Sequence, residues 1–111
     1  MRTKQFALRV IKLSRSLVGS GDPIAWVLGK QILRSGTSVG ANYRAACRAR
    51  SPADFIAKLG IVEEECDETS FWLELLEESG IVSASRLSKL KSEADELLAM
   101  TVASINTARK N

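Results

Sequence analysis

Apolar residues recur at alternating steps of three and four in four separate stretches of the chain, each long enough for an amphipathic helix. In the first stretch Phe6, Val10, Leu13 and Leu17 form the stripe, widened by Ala7, Ile11 and Val18. Arg2, Lys4, Arg9, Lys12 and Arg15 fill the opposite side, which predicts a helix over residues 3–18. Gly19-Ser20-Gly21-Asp22-Pro23 interrupts it. Asp22 suits the cap of a second helix and Pro23 its first turn, where no amide donor is needed. That helix is predicted over residues 23–48, with Ile24, Leu28, Ile32, Val39 and Ala46 as its apolar stripe. Ser51-Pro52-Ala53-Asp54 opens a third, whose stripe of Phe55, Leu59, Val62, Cys66, Thr69, Leu73 and Leu76 runs unbroken to the stop at Gly80. Ile81 and Val82 are placed for an apolar contact beyond that stop. Ser83 or Ser85 caps a fourth helix, with Leu87, Leu90, Ala94, Leu97, Thr101, Ile105 and Ala108 along its seam, joined by Leu98 and Val102.

Four such helices with short connections predict an all-α fold: an antiparallel up-down-up-down four-helix bundle, one domain over residues 1–111. The second and third helices form a long central hairpin, each about 40 Å at the helical rise. The first is about ten residues shorter at that rise, leaving the far half of the hairpin with one fewer neighbour. That uncovered surface predicts association with other copies.

The second helix carries more than an apolar stripe. Gly29, Gly36 and Gly40 lie inside it, each costing about 0.8–1 kcal/mol relative to alanine. A neighbouring helix approaching closely is the physical reason for keeping them. Gln31, Ser35, Ser38 and Asn42 form a polar seam at steps of four, three and four, followed by Ala45. With the turn near residue 50, facing residues have numbers summing to about 100 in an antiparallel pair. Position 35 then faces 65, and position 31 faces 69. The third helix answers with Ile61, Glu65, Glu68 and Trp72. Glu65 and Glu68 are therefore expected to accept hydrogen bonds from Gln31, Ser35 and Arg34, because a buried carboxylate must be satisfied. Truncating one partner of such a buried set is expected to cost about 3–5 kcal/mol.

Paired carboxylates can also hold a metal or serve as acid and base, as in a nuclease. Ferritin-like bundles, however, use Glu-x-x-His pairs, and this chain has no histidine. No catalytic residue, metal or cofactor is assigned, and the glutamates are read as structural.

The net charge of +3 hides an asymmetry: residues 1–50 hold ten Lys or Arg and one acid, residues 51–111 six and twelve. The halves can pair within the fold or between subunits, or the basic half can meet nucleic acid. Arg44, Arg48 and Arg50 flank the turn after the second helix, and antiparallel packing brings Arg109 and Lys110 to the same end. Such a patch, with Asp54 as its sole nearby acid, attracts phosphates by counterion release. The plain alternative is a solvated helix end whose cations complement the dipole. No base-reading motif accompanies the patch, so nucleic acid would be bound with little sequence preference.

Under the same pairing Cys47 and Cys66 stand roughly 20 Å apart, beyond the about 7 Å that a disulfide tolerates. Both are read as small apolar residues. The start of the chain lacks the continuous apolar core of a secretion signal, and no run approaches the roughly 18 apolar residues of a membrane span. A cytoplasmic location with reduced thiols is expected.

The run Gln31-Ile32-Leu33-Arg34-Ser35-Gly36-Thr37-Ser38-Val39-Gly40-Ala41-Asn42-Tyr43-Arg44 resembles the signature of the bacterial four-helix bundle proteins of the 23S rRNA intervening-sequence family. So do Ser51-Pro52-Ala53-Asp54-Phe55-Ile56-Ala57-Lys58-Leu59, then Glu65, Glu68-Thr69 and Trp72-Leu73-Glu74-Leu75-Leu76. Members are named for reading frames inside insertions excised from ribosomal RNA precursors. The family is related to the accessory variability protein of diversity-generating retroelements, a pentameric barrel that binds nucleic acid and a reverse transcriptase. The resemblance implies a ring-like homopentamer and no accepted enzymatic activity. Where the family often has Glu-Ala after the tyrosine and arginine, this chain has Ala45-Ala46, so no role of that acidic position carries over.

Two readings follow. One is a non-enzymatic, self-assembling bundle that binds RNA or DNA through its basic end. The other is a scaffold or accessory subunit, for example of a reverse transcriptase, whose partner is protein.

Overall fold

The three-and-four spacing is realised as four helices. The computed structural model describes residues 2–110, with α1 over Arg2–Val18, α2 over Pro23–Cys47, α3 over Pro52–Glu78 and α4 over Ala84–Lys110. Each neighbouring pair is antiparallel, in a rod 49 Å long and 20 Å across. Helix α1 has 17 residues against 25, 27 and 27 for the others.

The caps are built from side chains that short-range chemistry selects. Asp22 Oδ1 accepts from the Ile24 amide at 2.9 Å and Ser51 Oγ from the Asp54 amide at 3.0 Å, in each case satisfying a donor the helix leaves open. Gly80 takes a φ of 79°, a left-handed turn that costs glycine little. The Val82 amide then donates to the Leu76 carbonyl at 3.1 Å, and the Val82 side chain tucks into the core.

Phe6, Val10, Leu13 and Leu17 of α1 meet Ile32 and Val39 of α2, Leu59 through Leu76 of α3 and Leu87 through Ile105 of α4 in one continuous core. The glycines of α2 seat α1. A β-carbon at Gly36 would stand 2.6 Å from Cγ1 of Val10, and one at Gly29 would stand 3.0 Å from Cβ of Leu17. Ser14 Oγ donates to the Gly29 carbonyl at 2.7 Å across the same contact. At Gly40 the neighbour is the backbone of Thr3, so α2 runs on past the described start of α1.

Three expected apolar positions, Val18, Ile24 and Cys47, lie outside it. Ile24 is 61% exposed, because the buried face of α2 at this level is the one that carries Ala25, Gly29 and Ile32. Cys47 is exposed as well, at the end of α2 beyond the reach of α1. The small apolar role expected for both cysteines holds for Cys66 alone.

Candidate nucleic-acid interface

The end of the bundle opposite the α1–α2 connection collects the predicted cations. Arg48 and Arg50 lie in the α2–α3 turn, and Arg109 and Lys110 end α4. Phe55, near the start of α3, shares a hollow with Ser104, Thr107 and Ala108 of α4, which fixes the two helix ends at one level. Arg44 stands a turn further in, beside Lys4 and Ala7 of α1. All five cations are exposed. Among the described residues the ion pairs formed by carboxylates involve other cations. Asp54 in particular accepts from Lys58 Nζ at 2.7 Å and, more weakly, from the Arg50 backbone amide at 3.4 Å. The Lys58 bond holds its carboxyl below the ordinary carboxylate value. Two helix C-termini lie at this end and their dipoles favour nearby cations, while the starts of α1 and α3, at the same end, oppose them.

The polar seam is assembled differently from the expected network. Glu65 and Glu68 do lie across from α2, but Arg34 grips both, with Nη1 at 3.3 Å from Glu65 Oε2 and Nη2 against Glu68 Oε2. Trp72 Nε1 donates to Glu68 at 3.2 Å. Gln31 and Ser35 are not their donors. Ser35 is wholly buried and hydrogen-bonds Thr69 Oγ1 at 2.9 Å, and Thr69 also reaches the Glu65 carbonyl at 2.8 Å. Asn42 Nδ2 donates to the Ser38 carbonyl and hydroxyl at 2.9 and 2.8 Å within α2 itself. Gln31, Ser38 and Asn42 are only half-buried. The physical reason is facing: Ser35 is turned into the core, where it meets Thr69 (the position expected opposite Gln31), while Glu65 and Glu68 lie toward the rim within reach of the arginine fork.

Cys66 lies in the core beside this seam, and burial pushes its thiol up to about 12. Tyr43, one turn before Cys47, is held above the usual phenol range by charge on that thiol and by partial burial. Among the described residues no three His, Cys, Asp or Glu side chains converge closely enough to hold a metal ion. Among the described residues no helix is long and apolar enough to cross a membrane.

A third feature escaped the sequence. Between α1 and α4 runs an open groove of about 540 Å³ whose walls carry Arg9 and Lys12 on one side and Arg86 and Lys89 on the other. Helical spacing places each pair on one face, but whether those two faces meet depends on the handedness of the bundle, which periodicity does not encode.

With this geometry in place, comparison with known proteins decides the family. The model of the 23S rRNA-intervening sequence protein family matches residues 1–103. The chain belongs to that family. This intervening-sequence protein is also similar to a solved structure described as a protein with unknown function from the S23 ribosomal protein family of Bacteroides thetaiotaomicron VPI-5482. The two share 38% identity over 94% of each chain, with a TM-score of 0.88. No curated protein matches. In this family member the run from Gln31 to Arg44 serves two neighbours. Gly36 and Gly40 face α1, Ser35 and Arg34 face α3, and Arg44 points the run toward the cationic end.

Proposed function

We propose that this 23S rRNA-intervening sequence protein is a non-enzymatic, single-domain cytoplasmic subunit. It assembles with copies of itself, as a homopentameric ring, and binds RNA or DNA with little sequence preference through its cationic end. The observation that carries the reading is that Arg44, Arg48, Arg50, Arg109 and Lys110 are all exposed at one end and unpaired among the described residues. Self-assembly is supported by the apolar side chains that α2 and α3 leave in solvent, among them Ile24, Trp26, Val27 and Phe71. A second reading, an accessory subunit that binds a protein such as a reverse transcriptase and leaves nucleic acid alone, rests on that same apolar surface.

Fluorescence anisotropy with a labelled 20-nucleotide RNA, titrated from 50 to 200 mM salt, separates the two. The first reading expects log K to fall steeply with log salt, by about 0.7 in slope for each phosphate contact on a single strand. Reversing Arg48, Arg50 and Arg109 to glutamate is then expected to flatten that slope by about 2. An unbound RNA at 50 mM salt, with the oligomer intact, would remove the first reading and leave the second.

A further inference from the structure

We infer that the α1/α4 groove is a second phosphate-binding surface, one that holds the backbone of a nucleic-acid strand between Arg9 and Lys12 on one wall and Arg86 and Lys89 on the other. The inference rests on the reading that the ligand is a nucleic acid, and it assigns that ligand to residues the cationic end does not use.

The charges in the groove are poorly balanced. Its lining contains four cations and no acid. Glu93, at its edge, pairs with Arg9 at 3.0 Å and leaves Lys12, Arg86 and Lys89 without a carboxylate among the described residues. Asp22, which shares the adjoining hollow with Arg86, uses Oδ1 to cap α2. Like charges thus face one another across a gap between two helices, an arrangement that costs stability until an anion lies between them. The floor is made by Leu13 and Leu90, both already buried in the core. So no aromatic side chain and no exposed large aliphatic one lines the groove, although much of its open lining is apolar. A protein partner needs apolar or aromatic anchors at the centre of its contact. A phosphodiester backbone is held by charge alone, and its regular line of phosphates suits cations set three residues apart on two facing helices.

Lys89 and Arg109 are separated by about 30 Å along α4 at the helical rise. Substitutions in the groove therefore leave the cationic end untouched. The test uses the full chain, the same labelled RNA and the double variant Lys12→Gln/Lys89→Gln. Removing two phosphate contacts is expected to lower the salt slope by about 1.4, and the loss should add to that of the Arg48, Arg50 and Arg109 reversals. Because the variant also removes facing like charges, its Tm at low salt is expected to rise above that of the parent. That rise should vanish at 0.5 M salt, where the screening length falls to about 4 Å. An unchanged slope in this variant, with binding lost only in the end variant, would sink the groove and spare the end. RNA that the parent ignores altogether would sink both. Groove-dependent capture of a polyglutamate peptide in preference to RNA would overturn the assignment in favour of an acidic protein segment.

Discussion

Cys66 is sealed inside the bundle, and its thiol is held up to about 12 by that burial, well above the ordinary 9.0. A proton bound more tightly in the folded state favours folding below the unfolded pKa and ceases to do so as pH rises through the folded one. Stability is therefore expected to decline from about pH 9 upward. The decline should begin before Lys91, raised above its ordinary 10.5 by its bond to Glu77, starts to titrate. Urea unfolding at pH 8 and pH 10 checks this, with Cys66→Ala expected to flatten the difference. The same burial predicts that a thiol reagent modifies one cysteine per native chain, Cys47, and the second only after unfolding. Arg34 illustrates the converse case. It bridges Glu65 and Glu68 from the rim, with 54% of its side chain exposed. Solvent screens such a pair, so Arg34→Ala is expected to cost about 1 kcal/mol or less, rather than the roughly 3–5 kcal/mol of a fully buried charge partner. A loss above 3 kcal/mol in urea would mean the network is sealed from water.

At the scale of elements, α2 gives up helix propensity to gain proximity. Gly36 leaves no room for a methyl group, since Val10 already occupies the place. Gly36→Ala is expected to destabilise by about 1–3 kcal/mol through overpacking, despite the better propensity of alanine. Val10→Ala should partly rescue it, a coupling that a double-mutant cycle measures. Gly60 of α3 is the control, because nothing stands within 4 Å of a β-carbon there. Gly60→Ala is expected to stabilise by about 0.5–1 kcal/mol. If both substitutions shift Tm in the same direction, the close approach of α1 is not what the glycines serve.

Over the whole molecule, α2 and α3 leave apolar side chains in solvent on the half of the hairpin that α1 flanks, not on the stretch beyond the start of α1. Ile24, Val27 and Phe71 are each about half exposed or more. Surface of that kind is covered in an assembly or is a liability. Light scattering is expected to give a multiple of the 12.1 kDa chain mass. Ile24→Asp/Val27→Asp should reduce that multiple without unfolding the bundle. A parent that scatters as a monomer at micromolar concentration would remove the ring.

How much of this was legible in the residues depends on range. Periodicity, capping residues and breakers act within a few positions, so the stripes of α1, α3 and α4, the caps at Asp22 and Ser51 and the stop at Gly80 could all be read along the chain. The antiparallel pairing that puts Glu65 across from α2 followed from the turn near residue 50. Which donor reaches Glu65 did not follow, because it depends on the rotation of the two helices about their axes: Arg34 is turned toward the carboxylates and Ser35 toward Thr69. That α1 is the helix seated on Gly36, that Cys47 lies uncovered while Cys66 is sealed, and that Lys12 faces Lys89 across a groove are matters of which helices stand side by side. Hydrophobic spacing tells each helix which face to bury and is silent on which neighbour will cover it. That choice belongs to the packing of all four at once.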